Sequence, residues 1–382
     1  MNPFFDRKVL SQFDYVLPFF ILPLIVISGV LIGEVSELLS SKHLVYSLVG
    51  ISIFVIVAFI PIRRLSFLVP IAYWLSIFLL ILTDLIGVDR GMGAQRWLEI
   101  PFIHFTLQPS EFMKPTLILM IAYLIDQKPP PKGGYRLKQF LIFSAYICLP
   151  VVLIQLQPDL GTAITLFAMG FGILFLVGVH YKIWLAIAGV IIVFAPILYS
   201  SPFIKDYQRK RVVEFLSEKP KYQLQQSLIA IGSGGYNGKK KEEATQAQLK
   251  FLPIATSDFI FAYFAERFGF WGAMGLLALY LFLILHILSI GMSDSKDYYL
   301  QCVAYGIAML VFIYTAINIG MVMGLLPVVG LPLPLFSYGG SSFATFMLLF
   351  GVLENLLAFK FKFVYNHPPF ISSNMGKHHT NT

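Results

Sequence analysis

Ten apolar runs dominate this chain, near residues 15–33, 44–62, 65–88, 107–125, 140–156, 160–179, 183–200, 259–290, 300–326 and 341–359. A helix needs roughly 17–25 such residues to cross a bilayer, where every backbone polar group must be satisfied without water. The pattern predicts an all-α polytopic integral membrane protein with about ten transmembrane helices. The fourth and fifth runs are the weakest, each short and opening beside polar residues. Composition agrees: 57% of the chain is hydrophobic and 13% charged, where soluble domains carry about a quarter. The 36 Phe, 19 Tyr and 4 Trp exclude a disordered chain, and 29 Gly without period exclude collagen. Cys148 and Cys302 sit in separate apolar runs and form neither a disulfide framework nor a metal cluster. The formal charge of +8 is explained by membrane topology before nucleic acid.

Arg7 and Lys8 precede the first run, and no small-residue cleavage site follows it. It reads as a retained anchor. An even number of spans puts both termini on one side. Arg63, Arg64, Lys128, Lys132, Arg136 and Lys138 share that side with Arg7 and Lys8, while the opposite short connections hold Lys42, Arg90, Arg96 and Lys114. The positive-inside rule therefore puts both termini in the cytoplasm. Residues 1–382 read as one membrane domain, with 201–257 a large extracytoplasmic loop between the seventh and eighth spans. That loop carries ten Lys/Arg against five acids, close to the length at which the rule weakens. Residues 364–382 read as a disordered cytoplasmic tail, its His378-His379 pair a solvated terminus before a metal site.

Polar residues within an apolar bundle each need an account. Gln108-Pro109-Ser110-Glu111 and Gln157-Pro158-Asp159-Leu160-Gly161-Thr162 both place Pro and a capping residue before an apolar run. Either Ser110 and Asp159 cap helix starts, or two helix N-termini meet outside and offer positive dipole ends to an anion. Lys114 adds a cation, and Glu111 either pairs with it or helps hold a substrate. On the same side, Trp97 suits an interfacial belt, and Arg96 suits a lipid headgroup or a phosphate ligand. Within the long loop, the amphipathic Gln225–Ile231 can lie in the interface. Gly232-Ser233-Gly234-Gly235-Tyr236-Asn237-Gly238 followed by three lysines can cradle phosphate. It lacks the strand and helix of a nucleotide loop, so a flexible turn with a solvated charge run is favoured.

Asp258 stands where the long loop enters an apolar helix. It is either a helix cap or a carboxylate open to an outer cavity and able to accept a proton from a hydroxyl. Glu266, eight residues on, lies off its face at about 100° per residue. The last outer connection, 327–342, is uncharged and rich in Pro and Gly, which fits either a re-entrant wall lining a cavity or a stiff turn.

Together these stretches resemble the SEDS family (shape, elongation, division and sporulation proteins; FtsW/RodA/SpoVE), and most of all its RodA branch. Gly93–Leu98, Gln108–Lys114, Gln157–Ala163, Asp206–Arg211, Gln226–Gly235, Leu252–Glu266 and Asn318–Ser342 match in family order, from the third span to the tenth. The block from Asn318-Ile319-Gly320-Met321 to Ser341-Ser342 is the most specific. Pro327-Val328-Val329-Gly330 looks RodA-like, since the division branch usually has Thr where Val329 stands. Departures are Thr256 for a common His, Ser257 for Thr, Ala244 for a usual Gly, and Arg267 for the second acid of a Glu-Glu pair. An imidazole at position 256 is therefore not needed for proton transfer in this chain.

The resemblance implies a peptidoglycan glycosyltransferase that polymerises lipid II into β-1,4 glycan strands outside the cytoplasmic membrane during cell elongation. It puts the family's proposed catalytic aspartate on Asp258, as general base of an inverting transfer. Arg96, Lys114, Arg209 and Arg211 are candidate counter-charges to the leaving pyrophosphate, supported by the helix starts at Ser110 and Asp159. Trp97, Gln108, Glu111 and Ser337 complete the candidate substrate contacts. No cofactor is implied, and no divalent metal can be placed on particular residues. The implied partners are a class B penicillin-binding protein (the crosslinking transpeptidase) and other elongation-complex proteins, with lipid II and undecaprenyl pyrophosphate-linked glycan as ligands and no nucleic acid. Two other readings compete. A flippase for the same lipid-linked sugar suits the Pro/Gly-broken helices and the acids Asp84, Glu266 and Glu354, although no inverted repeat is evident. A noncatalytic scaffold would not need Asp258.

Overall fold

A computed structural model describes residues 11–89, 95–100, 105–200, 222–244, 255–293 and 297–360. Long helices occupy the apolar runs: α1 Val16–Val35, α2 Glu37–Phe59, α3 Val69–Ile86, α4 Pro109–Gln127, α5 Leu137–Leu156, α6 Leu160–Val177 and α7 Tyr181–Ser200, then α9 Ile260–Ser293, α10 Tyr298–Val322 and α11 Gly340–Ala358. A 3-10 turn, Ile62–Leu68, leads into α3, and α8, Tyr222–Ser233, is a short helix of the long loop. Eight helical segments are long and apolar enough to cross a membrane; α4 and α7 fall outside that set. In α4 the reason is location. Met113, Leu117, Ile118 and Ile121 are buried there together with Glu111 and Lys114, so protein rather than lipid surrounds the helix and tolerates its charges.

Burial sorts the bundle into centre and rim. In α10 and α11, 78% and 72% of the apolar window is covered by protein, against 28% in α2, α3, α5 and α9. The central pair carries the packing, and the rim helices turn their outer sides to lipid. Close approach depends on small residues, as is usual between membrane helices. A Cβ at Gly351 of α11 would stand 2.9 Å from the Phe54 carbonyl of α2, so only glycine allows that seam.

The helices alternate in direction, and polar contacts gather at the two ends. At one end, Arg63 grips Asp297 through two bonds of 2.5 and 2.8 Å. Asn355 there accepts from the Ile62 amide at 3.2 Å and donates to carbonyls at the end of α2, among them Ala58 at 3.0 Å. The other end carries the long loop and the last connection, with the starts of α4 and α6.

Two features there depart from a purely helical reading. The connection after α3 folds as a small antiparallel sheet, β1 Val88–Asp89, β2 Gln95–Ile100 and β3 Phe105–Leu107. Leu98 stands opposite Leu107, and Val88 opposite Trp97. Strands this short carry little periodic signal. The second feature is a break in α9 at Gly269, whose φ of 65° and ψ of −162° are not helical. The glycine-rich stretch of the long loop docks on that break. Phe270 N donates to Gly235 O at 2.8 Å, and Lys239 N donates to Glu266 O at 3.0 Å. The stretch is thus neither a phosphate cradle nor a loose turn; it supplies partners to backbone groups that the kink releases from the helix. Arg267, beside the kink, grips Glu34 at the end of α1 through bonds of 2.7 and 2.8 Å, and Tyr263 adds a third at 2.7 Å.

Candidate active site

Asp258 lies two residues before α9, where the chain turns from the long loop into the bundle. It keeps some exposed surface. Ser257 Oγ donates to its Oδ1 at 2.9 Å. Among the described residues no backbone amide of α9 donates to the carboxyl, so Asp258 does not serve as the cap of that helix. The other oxygen, Oδ2, faces Gly330, where a Cβ would stand only 3.5 Å away. Gly330 has φ +75°, a left-handed conformation that glycine adopts without penalty. Burial pushes the Asp258 carboxyl above the ordinary carboxylate range, and the Ser257 bond opposes that shift by favouring the charged form.

The backbone around this carboxyl is held from three directions. Asn318 of α10, fully buried, donates through Nδ2 to the Asp258 carbonyl at 2.9 Å and to the Leu331 carbonyl at 2.7 Å. Ser337 Oγ donates to the Ser257 carbonyl at 2.7 Å and accepts from Leu333 N at 2.7 Å. Tyr338 N donates to the Thr256 carbonyl at 2.8 Å. The connection before α11 is therefore a packed wall: Leu331, Leu333, Leu335 and Phe336 are all buried. Gly161, at the start of α6, meets the same wall, its missing Cβ 3.1 Å from Val329 O.

Beside the wall lies a buried charge pair. Lys114 Nζ is 2.5 Å from Glu111 Oε1 and 4.8 Å from the centre of the Tyr314 ring. Tyr314 stands one turn before Asn318 on α10, which links this pair to the segment carrying Asp258. Glu111 Oε2 is buried and accepts no hydrogen bond. Asp159 caps α6, accepting from Thr162 N at 3.3 Å. The cap position of α4 falls on Gln108, and Ser110 is buried one residue inside the helix. Trp97 is half-buried in β2, and Arg96 precedes it in that strand. Arg209 and Arg211 lie outside the described residues.

The structure thus brings Asp258, Ser337, Gln108, Ser110, Glu111, Lys114 and Asp159 to one end of the bundle. It engages Lys114 with Glu111, and both bonds of Ser337 with backbone. Ser257, Asn318, Gly330 and Tyr314 had no assigned role from sequence. Asn318 had a usable signal, as an amide side chain inside an apolar run. The others acquire meaning only from what they meet. Among the described residues no three His, Cys, Asp or Glu form a metal-holding group.

Comparison with known proteins agrees with this architecture. The chain is 54% identical over 365 residues to the peptidoglycan glycosyltransferase MrdB of Helicobacter pylori, with 95% of each covered. It is 40% identical over 312 residues to MrdB of Escherichia coli (strain K12), covering 80% of this chain and 82% of that one. A solved chain described as "Structural coordination of polymerization and crosslinking by a peptidoglycan synthase complex" superposes with a TM-score of 0.76 at 26% identity, over 90% of this chain and 97% of that one. The rod shape determining protein RodA of Thermus thermophilus shares the fold, with a TM-score of 0.68 at 23% identity over 91% and 98% of the two chains. The FtsW/RodA/SpoVE profile, described as "Cell cycle protein", matches residues 9–362. This multi-pass membrane chain belongs to the FtsW/RodA/SpoVE family of cell cycle proteins.

Proposed function

We propose that the protein is a peptidoglycan glycosyltransferase that polymerises lipid II into β-1,4 glycan strands during cell elongation, with Asp258 as general base. The observation that carries this reading is the carboxyl itself. Asp258 retains exposed surface at the loop end, Ser257 fixes Oδ1, and Oδ2 faces the glycine-lined wall. In the reaction the acceptor sugar's 4-hydroxyl oxygen bonds to the donor's anomeric carbon, and the bond from that carbon to the pyrophosphate oxygen breaks. The hydroxyl proton passes to Asp258, and the pyrophosphate departs with the bonding electrons, inverting the carbon. A positioned base of this kind contributes roughly 10²–10⁴ in rate.

The leaving pyrophosphate needs countercharge in a site shielded from water. The starts of α4 and α6 supply positive dipole ends, with Arg96, Arg209 and Arg211 as the candidate cations. Lys114 is engaged by Glu111, so the pair is electrically neutral and Lys114 is not available as a separate countercharge. The acids that suited a transporter do not converge: Asp84 is exposed, Glu266 is 3.7 Å from Lys239 of the loop, and Glu354 accepts from Asp14 N at the opposite end. The protein sits in the bacterial cytoplasmic membrane with both termini inside, a reading supported by its Lys/Arg distribution. Its partner is a class B penicillin-binding protein, supported by the pairing of polymerisation with crosslinking in the solved relative. The test is polymerisation of lipid II by purified protein in detergent, where no membrane remains to be crossed. Lengthening glycan is the expected result. Lipid II binding without any glycan, with or without the partner, would favour transport.

A further inference from the structure

Leu335 is the one non-glycine residue of the last connection with a positive φ, 60°. A left-handed leucine is unfavourable, so the surrounding contacts must hold it. The carbonyls on either side of it are both gripped by buried side chains from other helices. Tyr280 OH of α9 donates to Pro334 O at 2.6 Å, and Ser28 Oγ of α1 donates to Phe336 O at 2.6 Å. Ser28 has one hydroxyl proton, and that bond uses it. Toward His43 of α2, whose Nε2 lies 3.2 Å away, Ser28 can only accept, so His43 carries its proton on Nε2. His43 is 3% exposed. Its Nδ1 is buried without a hydrogen-bond partner, so this bond to Ser28 is the polar contact that fixes the ring. Phe336 is followed by Ser337, which holds the Ser257 carbonyl at 2.7 Å, and Ser257 in turn holds Asp258 Oδ1 at 2.9 Å.

We propose that His43 and Ser28 are positioning residues for the transfer reaction: together they fix the strained turn at Leu335 and so set the direction of the Asp258 carboxyl. The inference rests on the proposed role of Asp258. Neither residue touches the reacting atoms, so both should act on turnover rather than on lipid II binding. A Gln at position 43 keeps an amide donor near the place of Nε2, whereas Leu keeps the bulk and loses the donor.

The test measures kcat and KM for lipid II with purified full-length wild type, His43→Gln, His43→Leu, Ser28→Ala, the double variant His43→Leu/Ser28→Ala, and Asp258→Asn. Ser28→Ala and His43→Leu should each lower kcat roughly tenfold with KM within about twofold, and His43→Gln should recover most of that loss. The double variant should be no slower than Ser28→Ala, because both act through one carbonyl. Should His43→Leu fail to fold, Ser28→Ala and His43→Gln decide the matter by the same kcat and KM criteria. Unchanged kcat in Ser28→Ala, losses that multiply in the double variant, or a rise in KM alone would overturn the proposal. Full activity in Asp258→Asn would instead remove the base itself, which separates failure of this inference from failure of the reading beneath it.

Discussion

Asp258 is placed where its charge is costly and its proton affinity raised. Its pKa is pushed up by burial, with the Ser257 bond opposing. A base works only when ionised, so the acid limb of kcat/KM should lie above that of an ordinary carboxylate. Ser257→Ala removes a bond that favours the charged form. It should move that limb to still higher pH, while Ser257→Thr, which keeps the hydroxyl, should leave it in place; a pH–rate series with the three proteins reads this directly. The same shift has a stability consequence. A carboxyl with a raised folded pKa incurs no penalty while it is protonated in both states, and the penalty grows as pH rises through the folded value. At neutral pH, Asp258→Asn should therefore melt no lower than wild type, a thermal comparison in one detergent being enough to check it. For the buried Lys114–Glu111 pair, removing one partner strands a charge. Lys114→Met should cost about 3–5 kcal/mol and the double variant Lys114→Met/Glu111→Gln much less, as read by chemical unfolding of the two.

Among the elements, α9 shows how a local rule breaks for a reason. A helix of this length would run straight through Gly269, yet the chain kinks there and the glycine-rich stretch 234–239 repairs the exposed backbone. The kink separates the segment after Asp258 from the long membrane-crossing portion, and Arg267 fastens that segment to Glu34 on α1. Glu34 accepts two bonds from the Arg267 guanidinium, so the two charges are matched where the helices meet. Glu34→Arg and Arg267→Glu should each lower thermal stability and polymerisation, and Glu34→Arg/Arg267→Glu together should restore part of both. Losses that simply add would remove the ion pair from the account. The glycines and lysines of the loop were conspicuous in the sequence, but their partner at the kink lies beyond reach of local pattern, since Gly238 and Gly269 are far apart along the chain.

Across the whole molecule, the apolar runs made the helices legible because a bilayer imposes one length and one polarity on whatever crosses it. The legibility failed where protein replaces lipid: α4 carries charges because α3, α10 and α11 pack around it. The candidate base was legible at Asp258, from a carboxylate at the mouth of an apolar helix and from the family resemblance. Its supporting shell was not. Asn318, Gly330, Ser28 and His43 come from four separate stretches, and their meeting is a property of the bundle. The proposed reaction requires Asp258 to remove the acceptor proton. The most direct measurement is glycan formed from lipid II by purified Asp258→Asn, compared with wild type at equal lipid II binding. The variant should retain binding with glycan synthesis reduced by at least about a hundredfold; strands of normal length at a normal rate would mean that Asp258 is not the base.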